Sequence, residues 1–262
     1  MLSLKLPRLL NMHQVPKGIL FGYRHPKSSA ADCLVSVFQM TNETVNIWTH
    51  FLPSWYFLWK LLAFLSARDV WSDRYTWPFL AYLATCCVYP LASSFAHTFS
   101  SMSSRARHIC YFFDYGALAA YSLGEAKMQR QQLYLCEASG CHESVVPVHY
   151  RHTALALLTC FLFATHLPER LAPGLFDYVG HSHQLFHVCG IVGTHFQMEA
   201  LLADMAQRRE WLLAALPAPA FSQTLGPVLA STAVNLLLIA AFSMTLYSVP
   251  KFSRRKSKHR RD

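Results

Sequence analysis

GPVLASTAVNLLLIAAFSMTLYSV, Gly226 to Val249, is a run of apolar and small residues without a single Asp, Glu, Lys or Arg. A bilayer's hydrocarbon core takes roughly 17–25 such residues wound as a helix. Inside lipid every backbone donor and acceptor must be satisfied within the segment, so the run reads as a membrane-spanning helix. Working back through the chain finds five more segments of similar character. They lie near Val45–Ser66, Trp77–His97, His108–Gly124, Thr153–Leu167 and Gln184–Ala203. The reading is an all-α, polytopic transmembrane helix bundle of about six spans. Residues 1–44 form an N-terminal segment, 45–249 the helical domain and 250–262 a basic tail.

Composition agrees. Of 262 residues, 53% are hydrophobic and only 14% charged, where a soluble globular domain carries about 25% charged. Phe, Tyr and Trp are abundant, as at membrane interfaces. The formal charge of +9 is concentrated in the tail, at Lys251, Arg254, Arg255, Lys256, Lys258, Arg260 and Arg261. Such a cluster after an apolar segment reads as an anchor to anionic lipid. Nucleic-acid binding has no second basic patch to support it. Six spans put both ends on one side. With the ends cytosolic, that side holds Lys5, Arg8, Lys17, Arg24, Lys27, Arg105, Arg107, Arg170 and the tail. Arg68, Arg74, Lys127, Arg130, Arg151, Arg208 and Arg209 face the other side, and the bias favours cytosolic termini. Lys60 falls inside the first span, where it snorkels or meets a neighbour, and Glu199 falls near the far interface.

The cysteines form no CxxC pair, and Cys86, Cys87, Cys110, Cys160 and Cys189 sit in apolar runs as small hydrophobes. Cys136 and Cys141 share a polar stretch and could pair if it is extracellular. Asn42-Glu43-Thr44 fits a glycosylation sequon, which a cytosolic N-terminal segment would never expose to the modifying enzymes.

Chemistry concentrates near one membrane face. Ser93 and His97 are four apart near the end of the second span, on one helix face. Asp114 is a carboxylate inside the third span, a costly placement that calls for a partner or a water-filled cavity. His183 and His187, again four apart, open the fifth span and suit two imidazole ligands on one ion. The second span ends on the side where the third and fifth begin, so these residues share a depth. Three histidines with an open fourth position are the pattern of a catalytic zinc, with Asp114 and Ser93 placed to orient ligands or water. Fourteen histidines in 262 positions give roughly 0.7 His-x3-His pairs by chance, so the pair carries weight only with the topology. His166 and His195 read as packed or hydrogen-bonded residues.

The wording of these motifs resembles the progestin and adipoQ receptor family. Asn42-Glu43-Thr44-Val45-Asn46-Ile47-Trp48-Thr49-His50 is similar to its first-span start, and Ser93 to Ser100 (SSFAHTFS) to its second-span motif. Phe113-Asp114-Tyr115-Gly116 is similar to its third-span motif. His166 to Arg170 (HLPER) and Asp177 to His187 (DYVGHSHQLFH) resemble its late-span motif. Met1 to Pro7, Arg209 to Ala214 and the added last span point to the family's progestin-binding branch. The resemblance implies a plasma-membrane progestin receptor in rapid non-genomic signalling, acting through a G protein or otherwise. It also implies a zinc site of His97, His183 and His187 beside Asp114 and Ser93. Related members use that arrangement in lipid amide hydrolysis, which leaves a zinc-dependent, ceramidase-like hydrolase as an alternative. The family has seven to eight spans, with two more between the third span and the next. Here Glu125 to Tyr150 holds no run long enough to cross, so the chain reads as a shortened form lacking a helix pair. Losing two spans preserves the orientation of everything after them but removes two walls of any steroid pocket. An inactive isoform is therefore a third alternative.

Overall fold

The computed structural model describes residues 18–139, 146–215 and 220–248. Among them are seven α-helices, with no strand: α1 (Ala30–Ser36), α2 (Thr44–Ala67), α3 (Trp77–Phe99), α4 (Ser104–Ser139), α5 (Val146–Thr165), α6 (Ser182–Ala215) and α7 (Leu225–Ser248). Six long helices overlap the six apolar segments. Two stretches, Arg74–Phe99 and Leu225–Ser248, are long and apolar enough to cross a bilayer on length and composition alone. The other four long helices do not meet that measure.

α4 departs most from expectation. Its 36 residues make a rod about 54 Å long at 1.5 Å per residue, far longer than the 108–124 span. Helix-favouring Glu, Ala, Lys, Gln, Arg and Leu fill residues 125–139, so the helix continues where the apolar run stops. Cys136 therefore rides on α4 rather than in a loop, and Cys141 lies outside the described residues. So does the basic tail, and so do Lys5, Arg8 and Lys17.

The helices pack in sequence-neighbour pairs, α2 with α3, α3 with α4 and α5 with α6, while α6 returns against α2 and α7 lies along α4. The centre is aromatic: Phe57, Phe64, Phe79, Tyr82, Tyr89 and Tyr121 bury against Leu83, Met198 and Leu201. The outer faces carry Trp55, Trp59, Phe95, Leu157, Phe161 and Leu237 exposed, as a lipid-facing surface should. Lipid offers no hydrophobic drive between helices, so small residues and polar contacts fix the pairing. The Asn235 amide of α7 donates to Gly116 O of α4 at 3.0 Å. Tyr89 and Tyr121 meet at the hydroxyl of Thr194, at 3.0 Å each, joining α3, α4 and α6. His152 ties α5 to α6 through Gly193 O at 3.0 Å and to α4 through Glu125 at 2.6 Å. Lys60 meets a neighbour rather than snorkelling: its ammonium pairs with Glu199 at 2.9 Å. His195 bonds to the Tyr56 hydroxyl at 2.8 Å.

Candidate functional site

Two irregular segments converge on the end of the bundle where α3 stops and α4 and α6 start. The first, residues 18–43, is a strap across that end. Arg24 fastens it: its guanidinium donates to Thr98 O at 2.6 Å, His97 O at 2.5 Å, Ser100 Oγ at 2.7 Å and Ser36 Oγ at 3.1 Å. The last carbonyls of a helix lack partners inside it, and a cation there also opposes the negative end of the dipole. The second segment, residues 166–181, holds two buried carboxylates. Asp177 accepts from Leu20 N at 2.7 Å and Phe21 N at 2.9 Å, which ties it to the strap. Glu169 accepts from Ser182 N at 2.7 Å and from the Ser182 hydroxyl, which caps the start of α6 and fixes its phase. Gly18, at φ +101°, lets the chains touch here: a Cβ on it would lie 2.3 Å from Glu169 O.

This scaffold brings His97 of α3 together with His183 and His187 of α6. One ring nitrogen from each lies within 4.8 Å of the others, and the cluster is largely buried. His97 Nε2 and His183 Nε2 are 3.2 Å apart. Two nitrogens on one tetrahedral zinc, at about 2.0–2.1 Å each, stand roughly 3.3 Å apart, so the donor set suits zinc in type and spacing. Ser93 is buried at 3% exposure one turn before His97. Asp114, on α4, lies within electrostatic reach of His97 and of Ser93.

The carboxylate bonded to His97 is not Asp114 but Glu43, whose Oε2 lies 2.7 Å from His97 Nδ1. Asn46 Nδ2 donates to the same oxygen at 2.9 Å. Burial raises the Glu43 pKa, but His97, Asn46 and Arg24 outweigh it and hold the carboxyl well below the usual range. His181, just before α6, also lies below its ordinary value: burial lowers its pKa, partly offset by its bond to Asn42 O. His50 is a further buried imidazole, stacked on His187 with ring centres 3.7 Å apart and planes 13° from parallel. Glu43, Asn46 and His50 are not singled out by the sequence reading. Their Glu-x2-Asn-x3-His spacing puts them on one face of α2, and that periodicity was the available signal. Asn42 is 6% exposed, with its N–H bonded to Gly22 O and its carbonyl to His181, so the sequon is folded away.

The haemolysin-III-related family model matches residues 38–128 and 128–198, the two pieces meeting inside α4. A membrane progestin receptor gamma-B of Danio rerio is 47% identical over 334 positions, covering 94% of this chain and 96% of the relative. Membrane progestin receptor delta of Homo sapiens is 47% identical over 324 positions (95% and 94%), and its gamma counterpart 44% over 322 (96% and 98%). The gamma-B alignment takes in about 246 of this chain's 262 residues, so about 88 of its 334 positions have no counterpart here. With a matched family model, relatives 47% identical along nearly the whole chain and an all-helical fold, the chain belongs to the haemolysin-III-related, progestin and adipoQ receptor family.

Proposed function

We propose that this protein is a membrane progestin receptor of the plasma membrane, with both termini cytosolic and a zinc ion held by His97, His183 and His187 near the cytosolic face. The observation that carries the receptor reading is the 47% identity to proteins named membrane progestin receptors along nearly the whole chain. The ligand is a progestin, taken up from water or lipid into the bundle, and the signalling partner is a heterotrimeric G protein on the cytosolic side. Apolar burial supplies the affinity and a few convergent polar groups the orientation. Membranes from cells expressing the chain should show saturable binding of labelled progesterone, displaced by unlabelled steroid. Binding no greater than in untransfected membranes would remove the receptor reading. Tags at the two termini should be reached by antibody only after permeabilisation.

One observation favours a second reading. Three clustered imidazoles with a serine and a carboxylate beside them are the furniture of a zinc-dependent hydrolase acting on a lipid amide. Zinc held there would lend Lewis acidity. Ser93 and Asp114 would orient the substrate carbonyl or carry a proton. Ceramide-like substrate turned over by the parent and not by His187→Ala would favour it. Equal turnover in both would end it.

A further inference from the structure

α2 gives no imidazole to the three-histidine cluster, yet its first turns touch two of the three. Glu43 occupies the N-cap of α2, where a side chain ordinarily turns back onto the helix's own amides. Its carboxylate makes no such bond. It reaches across to α3 instead, 2.7 Å from His97 Nδ1, and accepts a second bond from Asn46 Nδ2. A carboxylate only accepts, so the proton of a neutral His97 sits on Nδ1 and the Nε2 lone pair faces the cluster. Asn46 does the same for α6. Its backbone carbonyl oxygen lies 3.2 Å from His187 Nδ1, which places the proton there and leaves His187 Nε2 free. The Thr49 hydroxyl, 3.2 Å from the same nitrogen, can accept as well.

We propose that Glu43, with Asn46 beside it, is the positioning device of the metal centre: α2 sets the tautomer and ring direction of His97 and His187 without itself touching the ion. This rests on the reading of the cluster as a zinc site. Partners that fix a ligand's far nitrogen raise its basicity, and their loss typically costs about 10–100-fold in metal affinity. A pair that merely held α2 to α3 would move stability and leave affinity alone.

The test uses the full chain in mild detergent, as parent, Glu43→Gln, Glu43→Asp and His187→Ala. Zinc affinity is read by competition with a chromophoric chelator, the coordination sphere by visible absorption after cobalt substitution, and the fold by thermal unfolding. The parent should bind one zinc that His187→Ala loses. Glu43→Gln should bind about 10–100-fold more weakly with an altered cobalt spectrum, and Glu43→Asp should recover part of the loss. A parent without zinc would overturn the zinc reading on which this stands. A parent that binds, with Glu43→Gln equal to it in affinity and spectrum, would overturn the role of Glu43 alone. So would lower stability at unchanged affinity. If Glu43→Gln does not fold, Glu43→Asp carries the test, and parent-like affinity and spectrum there overturn the proposal.

Discussion

Replacing Arg24 by Met tests whether the strap holds the end of α3. The side chain donates four hydrogen bonds, two of them to the backbone carbonyls of His97 and Thr98. Hydrogen bonds to a charged group contribute about 1.5–3 kcal/mol each, and the dipole adds up to about 1 kcal/mol. Arg24 is only partly buried, so water can take back the carbonyls it leaves. Counting only the two bonds to carbonyls and discounting by about half for that solvation gives a loss on the order of 2–3 kcal/mol. For a chain this long, about 2–4 °C of melting temperature goes with each kcal/mol, so the midpoint should fall by about 5–10 °C. The assay is intrinsic tryptophan fluorescence on heating in mild detergent. Lys27→Met, which removes an exposed charge from the same strap, is the control. Arg24→Lys should recover part of the shift, since one ammonium cannot reproduce a planar fork. A fall of less than about 2 °C, or an equal fall for Lys27→Met, would refute the fastening argument.

Other changes have separable outcomes. Gly18→Ala places a methyl 2.3 Å from Glu169 O at a left-handed φ. It should cost at least about 2–3 kcal/mol, read by the same thermal scan. Lys60→Met and Glu199→Gln should each cost about 1 kcal/mol, and the double variant less than their sum; strict additivity in a double-mutant cycle would deny the pair. His152→Ala removes the bonds to Gly193 and Glu125 and should cost about 2 kcal/mol. It should also raise proteolysis between α4 and α5, followed by gel. Asn235→Leu should loosen α7 by about 0.6–1.7 kcal/mol, seen as faster cysteine labelling at a probe introduced between α4 and α7.

What the sequence made legible follows from what hydropathy measures. α2, α3 and α7 begin and end within about two residues of the apolar runs, because there the helix and the apolar composition end together. α4 and α6 outlast theirs, because residues such as Glu125–Ser139 are strong helix formers that need no lipid. His97, His183 and His187 could be grouped by topology alone, since alternating spans sort residues by depth. Glu43 shares a helix face with Asn46 and His50, but its link to His97 was not legible, because that partner lies on another helix 54 positions away and a Glu at a helix start looks like any solvated cap. The strap escaped for the same reason: the bonds of Arg24, Asp177 and Glu169 join segments with no periodicity to read.

The family match breaks at residue 128, inside one continuous helix. Around that break the helices bearing the histidines, α3 and α6, touch each other and α2, and the contacts described around the cluster come from residues 18–50, 93–114 and 169–187. The described contacts around the histidines are thus made without the positions that the relatives carry in addition. A property measured in this chain and in those relatives alike would belong to the shared helices, and one measured only in the relatives would map to their additional positions.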